Sequence, residues 1–468
     1  MIKKLVFTLC LALLAGGSYA QTIVGTWYGT LTVQTKAIHL VFHITKNNDT
    51  YTSTMDSPDQ GANGLPVDKT TFSDNQLIID AAKLGIKYTG TFLPDSDKFN
   101  GTFAQGGFKF PLNLLTNKAA DNAPRPQDPK DFPYKQEDVK FINAKGGDQL
   151  AGTLTMPENG KATKIVVLIT GSGPQNRNEE ITQFNHRPFL VWSDWLTRNG
   201  IAVLRYDDRG VAQSTGDFRT ATSADFADDA EAAVNFIRSR SDLKALQIGL
   251  IGHSEGGIIA PLVASRNKAV KFIVLLAGPG VPISDLMVKQ TADLSRLSGQ
   301  PAELVKLSMA TNVKLYAASR QYSHLPDAAF KAKLDTILTN DLKSYPPKAL
   351  GGAKIENIVS STVDEIGTPW FRYFITLNPA DYLTKVKCPV LALNGTLDMQ
   401  VNSEANLAAI KAGLQKAGNK NHQEIALPGL NHLFQQAQTG SIGEYAQSAE
   451  TVNPLALQKV SDWIKQLK

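Results

Sequence analysis

One stretch, Gln247 to Gly257, constrains the fold of this chain more than any other. It reads Q-I-G-L-I-G-H-S-E-G-G. The apolar residues at its start suit a buried strand, and a helix-compatible run from Gly257 to Ser265 follows. Strand, sharp turn and helix form the context in which a G-x-S-x-G turn exposes its serine as a nucleophile. We therefore predict that Ser254 sits on a strained turn, with glycines two positions either side because side chains there would collide with the neighbouring strand and helix.

The N-terminal residues have the pattern of a secretory signal. Lys3 and Lys4 form a basic start, Leu5 to Ala15 form an apolar core, and Ser18-Tyr19-Ala20 is a small-residue exit. We expect residues 1–20 to be removed and the protein to be exported, either periplasmic or secreted. Removal leaves Cys388 as the one cysteine, so no intramolecular disulfide is expected.

The composition gives no indication of a nucleic-acid partner or of a membrane-spanning segment after the signal. The full chain of 468 residues has a formal charge of +5, and loss of Lys3 and Lys4 lowers it to +3, which is too little and too dispersed to indicate nucleic-acid binding. No segment after the signal is long and apolar enough to span a membrane. The length allows two or three domains, and a homo-oligomer remains compatible with the sequence.

Two domains with different patterns are expected beyond the signal. Residues 21–116 contain short alternating runs between turn signals, which indicate a small all-β domain, either a sandwich or a lipocalin-like barrel. Residues 117–138 are charged and Pro-rich, as in a linker. Residues 139–468 alternate strand-like with helix-like runs, which predicts a mostly parallel sheet with helices on both faces.

The alternation is interrupted at about residues 282–380, where apolar residues recur with helical spacing. An insertion between two parallel strands lies over their carboxyl ends, where ligands bind in open α/β sheets, so we expect a helical cap there. A stripe containing Trp370, Phe371 and Phe374 is either core of this cap or a substrate pocket.

A serine nucleophile needs a base, and the base needs an acid that holds it in the right tautomer. In this topology the chain order is serine, acid, histidine, with the acid and the base in loops after late strands. Asp398 follows the predicted strand Val390 to Leu393, and His432 follows the strand ending at Leu427. We therefore predict a catalytic triad of Ser254, Asp398 and His432.

The tetrahedral intermediate of acyl transfer needs two backbone N–H donors. One is expected from Glu255, directly after the nucleophile. The other is expected from the loop Gly171-Ser172-Gly173-Pro174, which follows a predicted strand. We assign the N–H of Ser172, because the glycines on either side of it let the backbone approach a substrate closely. The loop lacks the His-Gly-Gly-Gly form of many lipases, so Gly173 is the alternative donor.

Taken together, these motifs give residues 139–468 a resemblance to a known group. The matching stretches are Gly171 to Asn178, Tyr206-Asp207-Asp208-Arg209-Gly210, the turn around Ser254, Asn394 to Asp398, and Gly429 to His432. They resemble bacterial α/β-hydrolases of the serine-aminopeptidase-like or prolyl-oligopeptidase-like group, whose exported members are similar to carboxylesterases. The resemblance implies an α/β-hydrolase fold with a helical cap. It also implies a network role for Asp207, Asp208 and Arg209 beneath the active-site loops.

The leading hypothesis is a serine hydrolase that cleaves small carboxylic esters, without metal or cofactor. In it Ser254 is the nucleophile, His432 is the general base and then acid, and Asp398 orients His432. A peptidase or aminopeptidase with the same triad is one alternative. Another is that the all-β domain binds glycan or lipid and delivers substrate, with Trp27 and Tyr28 as its suggestive aromatic residues.

Overall fold

The computed structural model describes residues 23–33, 36–48, 50–57, 62–94, 98–105, 108–116, 125–158, 160–350 and 354–468. The predicted signal, residues 1–20, and the first part of the predicted linker lie outside these ranges. None of the helices in the described ranges has the length and apolarity to cross a membrane.

The N-terminal part forms one antiparallel sheet, in agreement with the predicted all-β domain. Its strand order is β4-β3-β2-β1-β10-β8-β7-β6-β5, and β9 pairs with β8. The strands are β1 (Gly25–Val33), β2 (Lys36–Asn47), β3 (Thr50–Ser57), β4 (Ala62–Pro66), β5 (Lys69–Ser73), β6 (Gln76–Ala81), β7 (Ile86–Leu93), β8 (Lys98–Gln105), β9 (Phe108–Pro111) and β10 (Leu114–Leu115).

This sheet wraps around a single apolar core. Buried and exposed residues alternate along β7, because successive side chains of a strand point to opposite faces. On the inner face Trp27 packs edge-on against Phe99, with ring centroids 4.7 Å apart. The edge strand β5 approaches β3, which is next to the other edge, where Ser53 Oγ lies 2.6 Å from Thr70 Oγ1. The shape is therefore that of a small barrel rather than of two separately hydrogen-bonded sheets.

The end of the Pro-rich segment is held against the second domain. The Arg125 guanidinium donates to the carbonyl oxygens of Phe184, Asn185 and Ser448. The Gln127 side chain bonds backbone groups of residues 451 and 452. The next strand begins at Lys135, inside the segment predicted as linker, because residues 135–138 pair antiparallel with residues 153–156.

The second sheet has the order β11-β12-β14-β13-β15-β16-β17-β18. The pairs β11–β12 and β12–β14 are antiparallel, and the remaining pairs are parallel. The strands are β11 (Lys135–Ile142), β12 (Gln149–Met156), β13 (Lys164–Ile169), β14 (Ala202–Tyr206), β15 (Gln247–His253), β16 (Val270–Leu276), β17 (Val390–Gly395) and β18 (His422–Leu427).

Helices cover both faces of this sheet, as predicted from the alternation. The helices are α1 (Pro188–Arg198), α2 (Ser223–Ser239), α3 (Gly256–Arg266), α4 (Ile283–Leu297), α5 (Ala302–Tyr322), α6 (Asp327–Leu342), α7 (Ile355–Ile366), α8 (Pro369–Phe374), α9 (Ala380–Leu383), α10 (Ser403–Lys416), α11 (Glu444–Gln447) and α12 (Pro454–Gln466). Helices α2, α3 and α10 share an apolar core with one face, and α1 and α12 share a core with the other. The central strands are buried on both faces and so read as continuous apolar runs.

Helices α4 to α8 lie between β16 and β17 in the chain and have an apolar core of their own. That core contains Phe330, Leu334, Phe371 and Phe374, and it also includes Ile258 of α3. Since α3 starts directly after β15, these helices contact the carboxyl end of the parallel sheet.

Candidate active site

Ser254 occupies the turn between β15 and α3. Its backbone is left-handed, with φ of +52°, a conformation that costs a non-glycine residue on the order of 1 kcal/mol and is found where the surroundings impose it. A Cβ on Gly252 would lie 1.9 Å from the Gly256 carbonyl oxygen, and one on Gly256 would lie 2.3 Å from that of Ile169. Only glycine fits at these two positions, so the turn has the shape that a G-x-S-x-G nucleophile requires.

Asp398 and His432 are in direct contact. Asp398 follows β17 and His432 follows β18, and both side chains are buried. His432 Nδ1 lies 2.8 Å from Asp398 Oδ2, while Asp398 Oδ1 accepts the N–H groups of Gln400 and Val401, each at 2.8 Å. An ionised carboxylate only accepts hydrogen bonds. If Asp398 is ionised and His432 neutral, this contact therefore needs the ring proton on Nδ1, which leaves a lone pair on Nε2.

The serine turn and this pair are linked through His253, which directly precedes Ser254. The rings of His253 and His432 have centroids 4.9 Å apart, and His253 Nε2 lies 3.1 Å from the His432 carbonyl oxygen. In the described part of the chain, no hydrogen bond joins Ser254 Oγ to His432. The structure thus brings His432 and Asp398 together beside the serine turn, and the proton transfer from Ser254 to His432 stays a prediction.

The predicted oxyanion loop lies close to Ser254. A Cβ built on Gly171 would be 3.2 Å from Ser254 Cβ, so Ser172 follows a residue that lies beside the serine. Among the described residues, neither the Ser172 nor the Glu255 backbone N–H has a hydrogen-bond partner. Both are therefore free to donate to a bound substrate, although the choice between Ser172 and Gly173 remains a prediction.

The Glu255 side chain has a role that the sequence did not indicate. Its buried carboxylate accepts the Ser223 hydroxyl of α2 at 2.5 Å and the Trp370 indole N–H of α8 at 3.1 Å. Burial raises the pKa of Glu255, while hydrogen bonds from Ser223, Trp370 and the Ser172 side chain lower it by less. The carboxylate thus joins the serine turn, the oxyanion loop, α2 and α8.

The three residues of the predicted aromatic stripe, Trp370, Phe371 and Phe374, lie in two different environments. Phe371 and Phe374 are buried in the core of the helices between β16 and β17. Trp370 stacks on Phe374, with ring centroids 4.8 Å apart, and its indole N–H donates to Glu255.

The suggestive aromatic residue Trp27 belongs to the core of the N-terminal sheet. Its side chain is buried, and its indole N–H donates to the Ile23 carbonyl at 2.8 Å.

Charged residues near the site bind one another. Arg177 forms a two-pronged contact with Asp207, at 3.0 and 2.7 Å, and Arg209 contacts Asp229 at 2.7 and 2.8 Å. Asp208 accepts the Thr170 hydroxyl at 2.8 Å and the Gln175 N–H at 3.0 Å. These contacts hold the loops that follow β13 and β14. In the part of the chain that is described, no cluster of three or more His, Cys, Asp or Glu side chains is arranged for a metal ion.

This chain is similar to several known proteins. A family model described as serine aminopeptidase, S33, matches residues 185–332. Esterase EstD of Thermotoga maritima is 24% identical over 345 residues, which span 72% of this chain and 68% of EstD. The uncharacterized protein YfhR of Escherichia coli strain K12 is 30% identical over 145 residues, 31% of this chain and 47% of YfhR. The solved esterase Pf2001 of Pyrococcus furiosus aligns with a TM-score of 0.43 at 18% identity, covering 72% of this chain and 95% of that one.

Proposed function

Since this chain is an enzyme of the α/β-hydrolase group, we propose that it cleaves carboxylic esters through an acyl-enzyme on Ser254. The observation that carries the proposal is the 2.8 Å hydrogen bond from His432 Nδ1 to Asp398. It leaves the basic Nε2 available beside a serine held in a strained turn. The similarity to EstD, which is named an esterase, supports the ester as the bond that is cleaved.

The reaction follows from the roles of these side chains. His432 Nε2 takes the Ser254 hydroxyl proton while Oγ attacks the ester carbonyl carbon. The tetrahedral intermediate collapses, its C–O bond to the alcohol breaks, and the alcohol leaves with the proton from His432. Water then attacks the acyl carbon while His432 takes one of its protons. The bond from that carbon to Ser254 Oγ breaks, His432 returns the proton to Oγ, and the carboxylic acid leaves. Asp398 keeps the imidazole in one orientation and stabilises its charged form.

The N–H groups of Glu255 and Ser172 complete this proposal as the oxyanion hole. Two preorganised donors stabilise the negative oxygen in a water-poor site, and removing one such donor costs on the order of 100- to 1000-fold in kcat. The cap of about residues 282–380 is part of the proposal as well. Within it Trp370, beside Glu255, would line the substrate pocket, while Phe371 and Phe374 support Trp370 from the cap core.

The Ser254→Ala variant tests the proposal. Loss of the nucleophile should lower p-nitrophenyl ester turnover on the order of a millionfold and leave the melting temperature nearly unchanged. Ser265→Ala is the matched control, since Ser265 lies on α3 and, among the described residues, donates to the Leu262 carbonyl of the same helix and to no other group. Hydrolysis by Ser254→Ala at the wild-type rate would refute the proposal.

The family model, described as serine aminopeptidase, favours a second candidate, an aminopeptidase that uses the same triad. Such an enzyme needs acidic groups that grip the amino terminus of its substrate. Asp364 in α7 faces Lys331 at 2.7 Å, so a partner already occupies this carboxylate. Turnover of aminoacyl p-nitroanilides, compared with that of p-nitrophenyl acetate, separates the two candidates.

A further inference from the structure

We propose that Glu179 and His253 form a buried ion pair that positions the nucleophile, the oxyanion loop and the catalytic histidine relative to one another. Both are positioning residues, since neither needs to touch the substrate. The inference deepens the proposed function and rests on it for the identity of the residues being positioned.

The contacts of His253 require two protons on its ring. Nδ1 lies 2.8 Å from Glu179 Oε1, and Nε2 lies 3.1 Å from the carbonyl oxygen of His432. An ionised carboxylate and a backbone carbonyl can only accept, whereas a neutral imidazole has a single N–H to donate. With Glu179 ionised, both hydrogen bonds exist only if His253 is the imidazolium.

The charged groups that face His253 favour that state. Burial by itself lowers the pKa of His253. The charge and hydrogen bond of Glu179, with smaller contributions from the His432 carbonyl and the Asp398 carboxylate, raise the pKa above its ordinary value overall. The side chains of His253 and Glu179 are only 8% and 3% exposed, so water contributes little to holding the charge.

Glu179 is held in place at a conformational cost. Its backbone is left-handed, with φ of +51°, which is uncommon for a residue with a long side chain. A turn closed by the Glu179 N–H and the Asn176 carbonyl, at 2.8 Å, maintains this conformation. Its carboxylate also accepts the Gly171 N–H at 3.1 Å. Strain of this kind persists where the surrounding structure imposes it, and it concentrates at functional sites.

One ion pair therefore joins the three backbone segments on which the chemistry depends. His253 precedes Ser254, Gly171 precedes the predicted donor Ser172, and the carbonyl belongs to the base His432 itself. Since no hydrogen bond joins Ser254 Oγ to His432 in the described chain, their separation is set by such indirect contacts. Misplacing reacting groups by about 1 Å costs roughly 100-fold in rate.

Kinetics of Glu179→Gln and His253→Gln test the proposal. Each variant should lower kcat for p-nitrophenyl acetate roughly 100-fold with KM nearly unchanged, because oxyanion and base contacts act mainly in the transition state. Glu179→Asp keeps the charge and should recover part of the loss. The matched control is His422→Gln, which removes another histidine–glutamate contact, His422 Nδ1 to Glu424 Oε1 at 2.7 Å, at the opposite end of the sheet. Wild-type kcat in the two glutamine variants would overturn the inference.

A measurement on the unmodified protein covers the case in which these variants fail to fold. In ¹⁵N-histidine NMR, with His253 assigned by through-bond correlation, both ring nitrogens should carry protons at pH 7.5, above the ordinary histidine pKa of about 6.5. A single N–H on His253 at that pH would refute the ion pair. This readout does not require activity. Failure of the proposed function is instead recognised when Ser254→Ala keeps ester turnover.

Discussion

The two carboxylate oxygens of Asp398 make different contacts. Oδ1 accepts two backbone N–H groups of its own loop, and Oδ2 faces the imidazole of His432. The loop contacts fix which way the carboxylate points, and the carboxylate in turn fixes the tautomer of His432. The proposed base catalysis by His432 therefore depends on the contact that Asp398 Oδ2 makes with its ring.

At the scale of the residue, Asp398→Asn should abolish base catalysis while keeping the loop. The amide oxygen can replace Oδ1, which turns the NH₂ toward Nδ1 and forces the histidine proton onto Nε2. We expect kcat to fall about 10,000-fold with little change in melting temperature, as measured on p-nitrophenyl acetate. Asp364→Asn, which disturbs an exposed ion pair with Lys331, is the control. A kcat within tenfold of wild type would contradict the tautomer argument.

At the scale of the element, α8 is joined to the start of α3 through Trp370 and Glu255. This contact links the helices between β16 and β17 to the strand end that is followed by Ser254. The Glu255 carboxylate has neutral donors around it. Each of these donors therefore matters, because a buried carboxylate that lacks hydrogen bonds is costly.

Replacing Trp370 with Phe keeps an aromatic ring but removes the indole N–H. The weakened solvation of the Glu255 carboxylate should lower the free energy of unfolding by about 1–3 kcal/mol, measured by urea denaturation. Trp463→Phe is the control, since Trp463 packs against Phe272 and has no hydrogen bond from its indole in the described chain. Equal effects of the two substitutions would show that ring packing, not the N–H, stabilises α8.

At the scale of the whole molecule, the His253–Glu179 pair makes stability depend on pH. The pKa of His253 is raised in the folded state, so the folded protein binds an extra proton above pH about 6.5. The stabilisation is fully present below that pH and is lost as the pH rises through the folded-state pKa.

We therefore expect the free energy of unfolding of the wild type to fall between pH 6.5 and 9 by more than that of His253→Gln. Urea denaturation at both pH values measures this difference, and the comparison cancels the groups that titrate in both proteins. Parallel losses in the two proteins would contradict a charged His253.

Local sequence was sufficient for the features that depend on neighbours along the chain. Alternating side chains predicted the N-terminal all-β region, and the runs between Lys164 and Leu427 predicted the parallel sheet. The glycines around Ser254 predicted the turn, because their constraint is steric and acts within a few residues. The strand pattern also predicted that Asp398 and His432 lie in loops after late strands, and they follow β17 and β18.

Tertiary structure alone decided how the site is held together. Glu179 and His253 are 74 positions apart, and Trp370 and Glu255 are 115 apart. Contacts between residues so far apart in the chain cannot be predicted from periodicity or from a local motif. Such residues come together only when the sheet has formed and water has been excluded. The sequence by itself thus provided the predicted catalytic side chains, Ser254, Asp398 and His432. Packing of distant loops decided which contacts hold them in place.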